Sequence, residues 1–198
     1  MLTAINEAVL LLGIAVVLTD SALAADPVTI KASRNTPQEM QTVQLLGRLL
    51  AAYDLNRYTS TRKVIIDEHA TDHAFPVLTL DTRFAKSSDD LLSSFLHEQF
   101  HWFLQAHSAQ TEDAVKLLHQ FYPRVPVGET EGARTVYSTY IDLLVCYLEL
   151  QADRHLIGDA RTVALVHGKH RFTWIYKTDL EDEKRMSEVI KTTRLEIQ

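Results

Sequence analysis

The feature that most constrains this chain is a polar interruption in an apolar helix. Leu91, Leu92, Phe95, Leu96, Phe100, Phe103 and Leu104 recur at helical spacing, and the stretch between Leu96 and Trp102 reads His97-Glu98-Gln99-Phe100-His101. Positions i and i+4 of a helix share one face, one turn apart. Two imidazoles and a carboxylate on a helix this apolar are costly to bury unless other groups meet them. The fold must therefore bring partners to that face. Random placement of this composition would produce the pattern in only about 2% of chains, so it merits a chemical reading.

The remaining elements follow from periodicity and punctuation. Val28 to Ala32 alternates as a strand does, and Val64-Ile65-Ile66 and Pro76 to Asp81 read as two more. Thr36 before Pro37 marks a helix start, followed by apolar residues at helical spacing from Met40 to Tyr53. Ser87 to Asp90 supplies cap residues and negative charge for the motif helix, which should end near Ala106. Thr111 should cap a short helix reaching Tyr122 and stopped by Pro123, and residues 126–132 form a loop. A long helix over about Thr135 to Leu156 ends at Gly158, and a shorter one follows over Asp159 to Val166. Phe172 to Tyr176 favours an extended segment, and Leu180 to Thr193 a last helix that begins in a solvated acidic cluster, Asp179 to Glu183. The fold class is α+β, with a small N-terminal sheet before the motif helix and a mostly helical second half.

The pattern H-E-x-x-H has a direct chemical use. His97 and His101 can place two ring nitrogens on one zinc ion at about 2.0–2.1 Å. Glu98, one residue along, projects beside the metal and can take a proton from a water whose pKa zinc lowers to about 7. A catalytic zinc also wants a third protein ligand. Glu149, four residues before Asp153 on the long helix, is the first candidate, with Asp153 bonding the second N–H of a ligand histidine. His107 is the second, at the third-histidine position of the longer motif, although Leu104 stands where that motif has a helix-breaking glycine. Asp153 or His155 remain further alternatives for the third ligand. His69 and His73 repeat the i, i+4 spacing in an expected loop and read as exposed.

On His97-Glu98-x-x-His101 and the later Glu149-x-x-x-Asp153, the chain resembles the gluzincin branch of the zincin metallopeptidases over about Val28 to Asp153. The resemblance implies a zincin-like fold with one zinc per chain, held by His97, His101 and Glu149, with Glu98 as base and Asp153 behind the first histidine. It implies peptide-bond hydrolysis of a peptide or protein substrate, with Pro76 to Asp81 as the sheet-edge strand that holds the substrate backbone. It also implies a histidine or tyrosine that steadies the oxyanion, for which His170 or Tyr176 could serve. No glycine-methionine-glutamate-asparagine stretch is present, which favours an endopeptidase. Two rivals stay open, a non-catalytic zinc-binding interaction module and a hydrolase of non-peptide amides or esters.

Charge and cysteine usage narrow the setting. The chain carries 20 basic and 26 acidic side chains, a formal charge of −6, and shows no basic face suited to nucleic acid. Its one cysteine, Cys146, lies in an apolar run and reads as a buried small hydrophobe, so no internal disulfide can form. Ala8 to Leu18 is apolar but too short to span a bilayer, and Ala22-Leu23-Ala24 fits a signal-peptidase site. Residues 1–24 are expected to be a cleaved signal and 25–198 a single domain, secreted or periplasmic and with no stable membrane insertion after cleavage.

Overall fold

Thr36 shows how closely local chemistry fixes this fold. Its side chain accepts from the Glu39 amide, and Glu39 reaches back to the Thr36 amide, a reciprocal cap that starts helix α1 (Pro37–Ala52). Glu39 is fully buried, and its carboxylate also accepts from the amides of Arg34 and Glu68. One side chain thus ties the end of strand β1 (Thr29–Ala32) to the turn after β2 (Lys63–Ile66). The computed structural model describes residues 26–128 and 130–197. The expected signal segment lies outside them.

The three strands form a parallel sheet in the order β1-β2-β3, with Ile30 opposite Val64 and Val64 opposite Leu78. Strand β3 is shorter than Pro76 to Asp81. It covers Leu78–Leu80, and all three residues are buried. Its outer edge is already taken, because His73 and Thr79 exchange backbone hydrogen bonds of 3.0 and 2.9 Å in an antiparallel bridge. The segment expected to pair with a substrate therefore pairs, through Thr79, with the chain's own His73.

Helix α2 (Ser88–Ala106) carries the motif through the centre of the molecule. Its apolar stripe, Leu91, Leu92, Phe95, Leu96 and Phe100, is at most 1% exposed, and each such side chain contributes about 1.5–3 kcal/mol by leaving water. The helices that follow are α3 (Ser108–Phe121), α4 (Val136–Ile157), α5 (Asp159–Gly168), α6 (Thr173–Glu181) and α7 (Glu183–Thr193). The architecture is α+β. One cluster of buried side chains runs from Leu45 in α1 to Leu195 after α7.

Three sequence expectations fail here. Helix α3 begins at Ser108, because Thr111 is used differently: its hydroxyl donates to the Leu104 carbonyl at 2.8 Å and locks the corner between α2 and α3. Phe172 to Tyr176 is not extended but opens α6. The β-branched and aromatic preference of these residues yields to burial of Ile175, Tyr176, Thr178 and Asp179, which share one helical face. The last helix is split at Asp182, which accepts from the Tyr122 hydroxyl and Arg185, and Asp179 is buried rather than solvated.

Helix α4 is set by a close approach. A Cβ on Gly132 would stand 2.1 Å from the Pro126 carbonyl oxygen, so only glycine lets the two backbone segments meet. Thr139 seals this corner, accepting from the Ala133 amide and donating to Pro126. Thr135 caps the helix together with Ser138, and Gly158 ends it at φ 85°, a conformation that favours glycine. No helix among the described residues is long and apolar enough to cross a membrane.

Candidate metal centre

The motif helix is locked in rotation by residues the motif leaves unspecified. Gln99 projects away from His97 and is fully buried. Its Oε1 accepts from the amides of Ser60 and Thr61 at 2.8 Å each, and its Nε2 donates to Thr61 O at 2.8 Å. Phe100 enters the core, and the Trp102 indole N–H donates to Ala74 O at 2.8 Å. With those three sides committed, His97, Glu98 and His101 face α4 and a cavity of about 880 Å³.

The two imidazoles converge. Their Nε2 atoms stand 3.3 Å apart, and His101 Nε2 lies 3.4 Å from Asp142 Oδ1. One ligand atom from each of His97, His101 and Asp142 falls within a 4.8 Å group. Donors bound at about 2.0–2.2 Å to a tetrahedral zinc are about 3.3–3.5 Å apart, so these separations fit the edges of such a site. Asp142 was missed in the sequence. The signal was there, a lone carboxylate in Ile141-Asp-Leu-Leu-Val-Cys-Tyr-Leu, seven residues and hence two turns before Glu149 on the same face.

Glu149 also arrives at the site, but on the other side of the ring. Its Oε2 accepts from His97 Nδ1 at 2.9 Å, the arrangement expected of Asp153. Oε1 takes Lys169 Nζ at 2.7 Å and the Ser93 hydroxyl, and the Tyr176 hydroxyl donates to Oε2 at 2.9 Å. A second group of ligand atoms, from His97, Cys146 and Glu149, shares the 4.8 Å spacing. It suits a cation less well. The Lys169 ammonium already occupies Glu149 Oε1, and burial with neighbouring carboxylates raises the Cys146 thiol.

The charges follow from burial and from these partners. Burial alone would depress His97, but the hydrogen bond and charge of Glu149, with Glu98 and Asp142, push it up to about 9. Burial and the His97 charge push His101 down to about 3, which leaves a neutral ring whose Nε2 meets His97 Nε2. Burial raises Glu98 to about 7 against the pull of His97, with Asp72 and Asp142 adding to the rise. Burial likewise lifts Asp142 to about 6. Burial would raise Glu149, yet Lys169 and His97 hold it well below the usual carboxylate range.

The other sequence candidates are placed as follows. Asp153 is buried one turn beyond Glu149, with Oδ1 unpartnered, and burial and the Glu149 charge raise it to about 8. Tyr176 is 4% exposed and its hydroxyl is spent on Glu149, whereas His170 is exposed on the cavity rim. His107 ends α2 with Nδ1 on the Phe103 carbonyl at 2.9 Å, outside both ligand groups, and His155 packs near Tyr58. Phe172, left-handed at φ 57°, stacks on His97 at 6.1 Å and 8°. Lys169 and Ser93 had no readable sequence signal, since their role depends only on where Glu149 ends up. Comparison with protein-family models, curated proteins and solved structures finds no match for the chain.

Proposed function

We propose that this chain is an exported zinc-dependent peptidase of zincin-like build, in which His97, His101 and Asp142 hold the metal. The observation that carries the reading is the 3.3 Å approach of two imidazole nitrogens, with a carboxylate oxygen 3.4 Å from one of them, beside Glu98 in an open cavity. Zinc there would supply Lewis acidity toward a carbonyl and toward water. Glu98 takes the proton of the attacking water and returns it to the leaving nitrogen. Glu149, gripped by Lys169, Ser93 and Tyr176, holds the His97 ring through Nδ1 and keeps Nε2 directed at the metal. Asp142 takes the ligand place first assigned to Glu149, and Glu149 the supporting place assigned to Asp153. His170 on the rim remains the group to steady the oxyanion, since Tyr176 is held by Glu149. Export rests on the leader read at residues 1–24.

The test is metal content together with cleavage of an unstructured protein such as reduced, alkylated casein. The expected result is one zinc per chain, with cleavage abolished by a chelator and restored by zinc. Zinc-loaded protein that cleaves nothing across a broad peptide library would replace this reading with that of a non-catalytic binding module.

A further inference from the structure

Between α5 and α6 the chain runs through four residues, Lys169 to Phe172, all of which line the cavity beside His97. This strap is tied at both ends. The Lys169 amide donates to Val166 O of α5 at 3.1 Å. At the start of α6 the Thr173 amide and hydroxyl both donate to Thr130 O, at 2.9 and 3.0 Å, and the Trp174 amide donates to Glu131 O at 3.2 Å.

The first and last side chains of the strap reach the same imidazole from different directions. Lys169 Nζ donates to Glu149 Oε1 at 2.7 Å and to the Ser93 hydroxyl at 3.1 Å, and it stands 4.8 Å from the centre of the Tyr176 ring. Glu149 in turn accepts from His97 Nδ1 through Oε2 at 2.9 Å. Phe172 covers the face of the His97 ring, with centroids 6.1 Å apart and planes 8° from parallel. The remaining edge, Nε2, meets His101 Nε2 at 3.3 Å. The ring torsion of a histidine is broad, so a hydrogen bond at one nitrogen leaves the ring free to tilt. A contact on its face removes that freedom.

The backbone at Phe172 points the same way. Its φ of 57° lies in the left-handed region, which glycine and asparagine take readily and a bulky side chain does not. Nothing in the turn itself calls for an aromatic residue. The ring is what the position uses: it stacks on His97 and carries the Arg171 guanidinium at 5.5 Å. Such a conformation persists where the surroundings hold it, and it collects at functional sites.

We infer that the strap aims the His97 imidazole, with Lys169 fixing the Nδ1 edge through Glu149 and Phe172 fixing the face, so that Nε2 stays directed at the point where His101 converges. Lys169 and Phe172 are thus positioning residues. The inference rests on the proposed function only for what the aim serves, which is to hold a metal ion.

The test reads the ring and the metal separately. In zinc-free full-length protein, isotope-labelled at histidine, His97 is expected to give one set of ring signals by NMR. Phe172→Gly removes the ring and suits the left-handed backbone, so it should split or broaden those signals with little change in melting temperature. Phe172→Tyr should restore the single set. Lys169→Met should also free the ring; it leaves the Glu149 charge without its partner, and if it does not fold the two Phe172 variants decide. Competition with a chromophoric chelator should show zinc held about 10–100-fold more weakly by Phe172→Gly and by Lys169→Met. The double variant should lose no more than the weaker single, because both changes act on one ring. Unchanged His97 signals in the variants would overturn the inference. So would a freed ring with undiminished affinity in a protein that takes zinc, or losses that multiply in the double variant. Freed ring signals in variants of a protein whose wild type takes no zinc would keep the strap and overturn the metal reading.

Discussion

Two pairs of histidines in this molecule share the spacing i, i+4, and they behave differently. His69 and His73 lie in the turn after β2. His69 is 66% exposed and stands 3.7 Å from Glu68, while His73 turns its Nδ1 to the Thr71 carbonyl at 2.8 Å. His97 and His101 lie on α2, and their Nε2 atoms come within 3.3 Å. Spacing alone therefore does not bring two rings together. A helix aims the rings, Gln99 and Trp102 fix its rotation, and α4 delivers carboxylates to both rings, Asp142 to one and Glu149 to the other.

That contrast can be attacked at several points. The largest effect should come from Glu98→Gln, which removes a proton acceptor but no ligand. Turnover should fall by about 10²–10⁴ while bound zinc, measured by atomic absorption, stays at one per chain. Next comes the division of labour on α4. Glu149→Gln should weaken zinc by roughly 10–100-fold, as loss of a supporting carboxylate does, and Asp142→Asn should weaken it more. Competition titration against a chromophoric chelator gives the ranking, and the opposite order would return Glu149 to the ligand set. Glu149→Gln should also cost about 3–5 kcal/mol in urea unfolding, because the Lys169 ammonium loses its counter-charge.

A smaller effect concerns Asp179, whose two carboxylate oxygens are buried without partners. Burial, aided by the Glu149 charge, raises its pKa well above the usual carboxylate range. The folded state thus binds the proton more tightly than the unfolded state. Its contribution to stability is greatest below the unfolded value and declines as pH rises toward the folded one. Asp179→Asn should accordingly gain stability over the wild type from about pH 4 upward, by a margin that grows with pH. Melting temperatures from pH 4 to 9 test this, and a constant difference between the two proteins would contradict it. At the lower extreme, His69→Ala should leave zinc affinity unchanged and stability within about 0.5 kcal/mol.

Much of this was legible from sequence where local chemistry and tertiary packing agree. The helix start at Thr36, the apolar stripe of α2 and the stop at Gly158 each act within a few residues, and each stands where it was expected. Packing decided the rest. Thr173 to Tyr176 is helical because α4 offers a surface for Ile175 and Tyr176, which no window of sequence contains. The same holds at the site. The motif histidines could be read from their own helix, but the choice between Asp142 and Glu149 turns on how far α4 slides along α2.

The central claim is best tested by anomalous scattering at the zinc edge from crystals of the zinc-loaded protein. One peak is predicted about 2.0–2.2 Å from His97 Nε2, His101 Nε2 and a carboxylate oxygen of Asp142, with Glu149 still on His97 Nδ1. Zinc bound through Glu149 with Asp142 free, or no zinc between the two imidazoles, would contradict it.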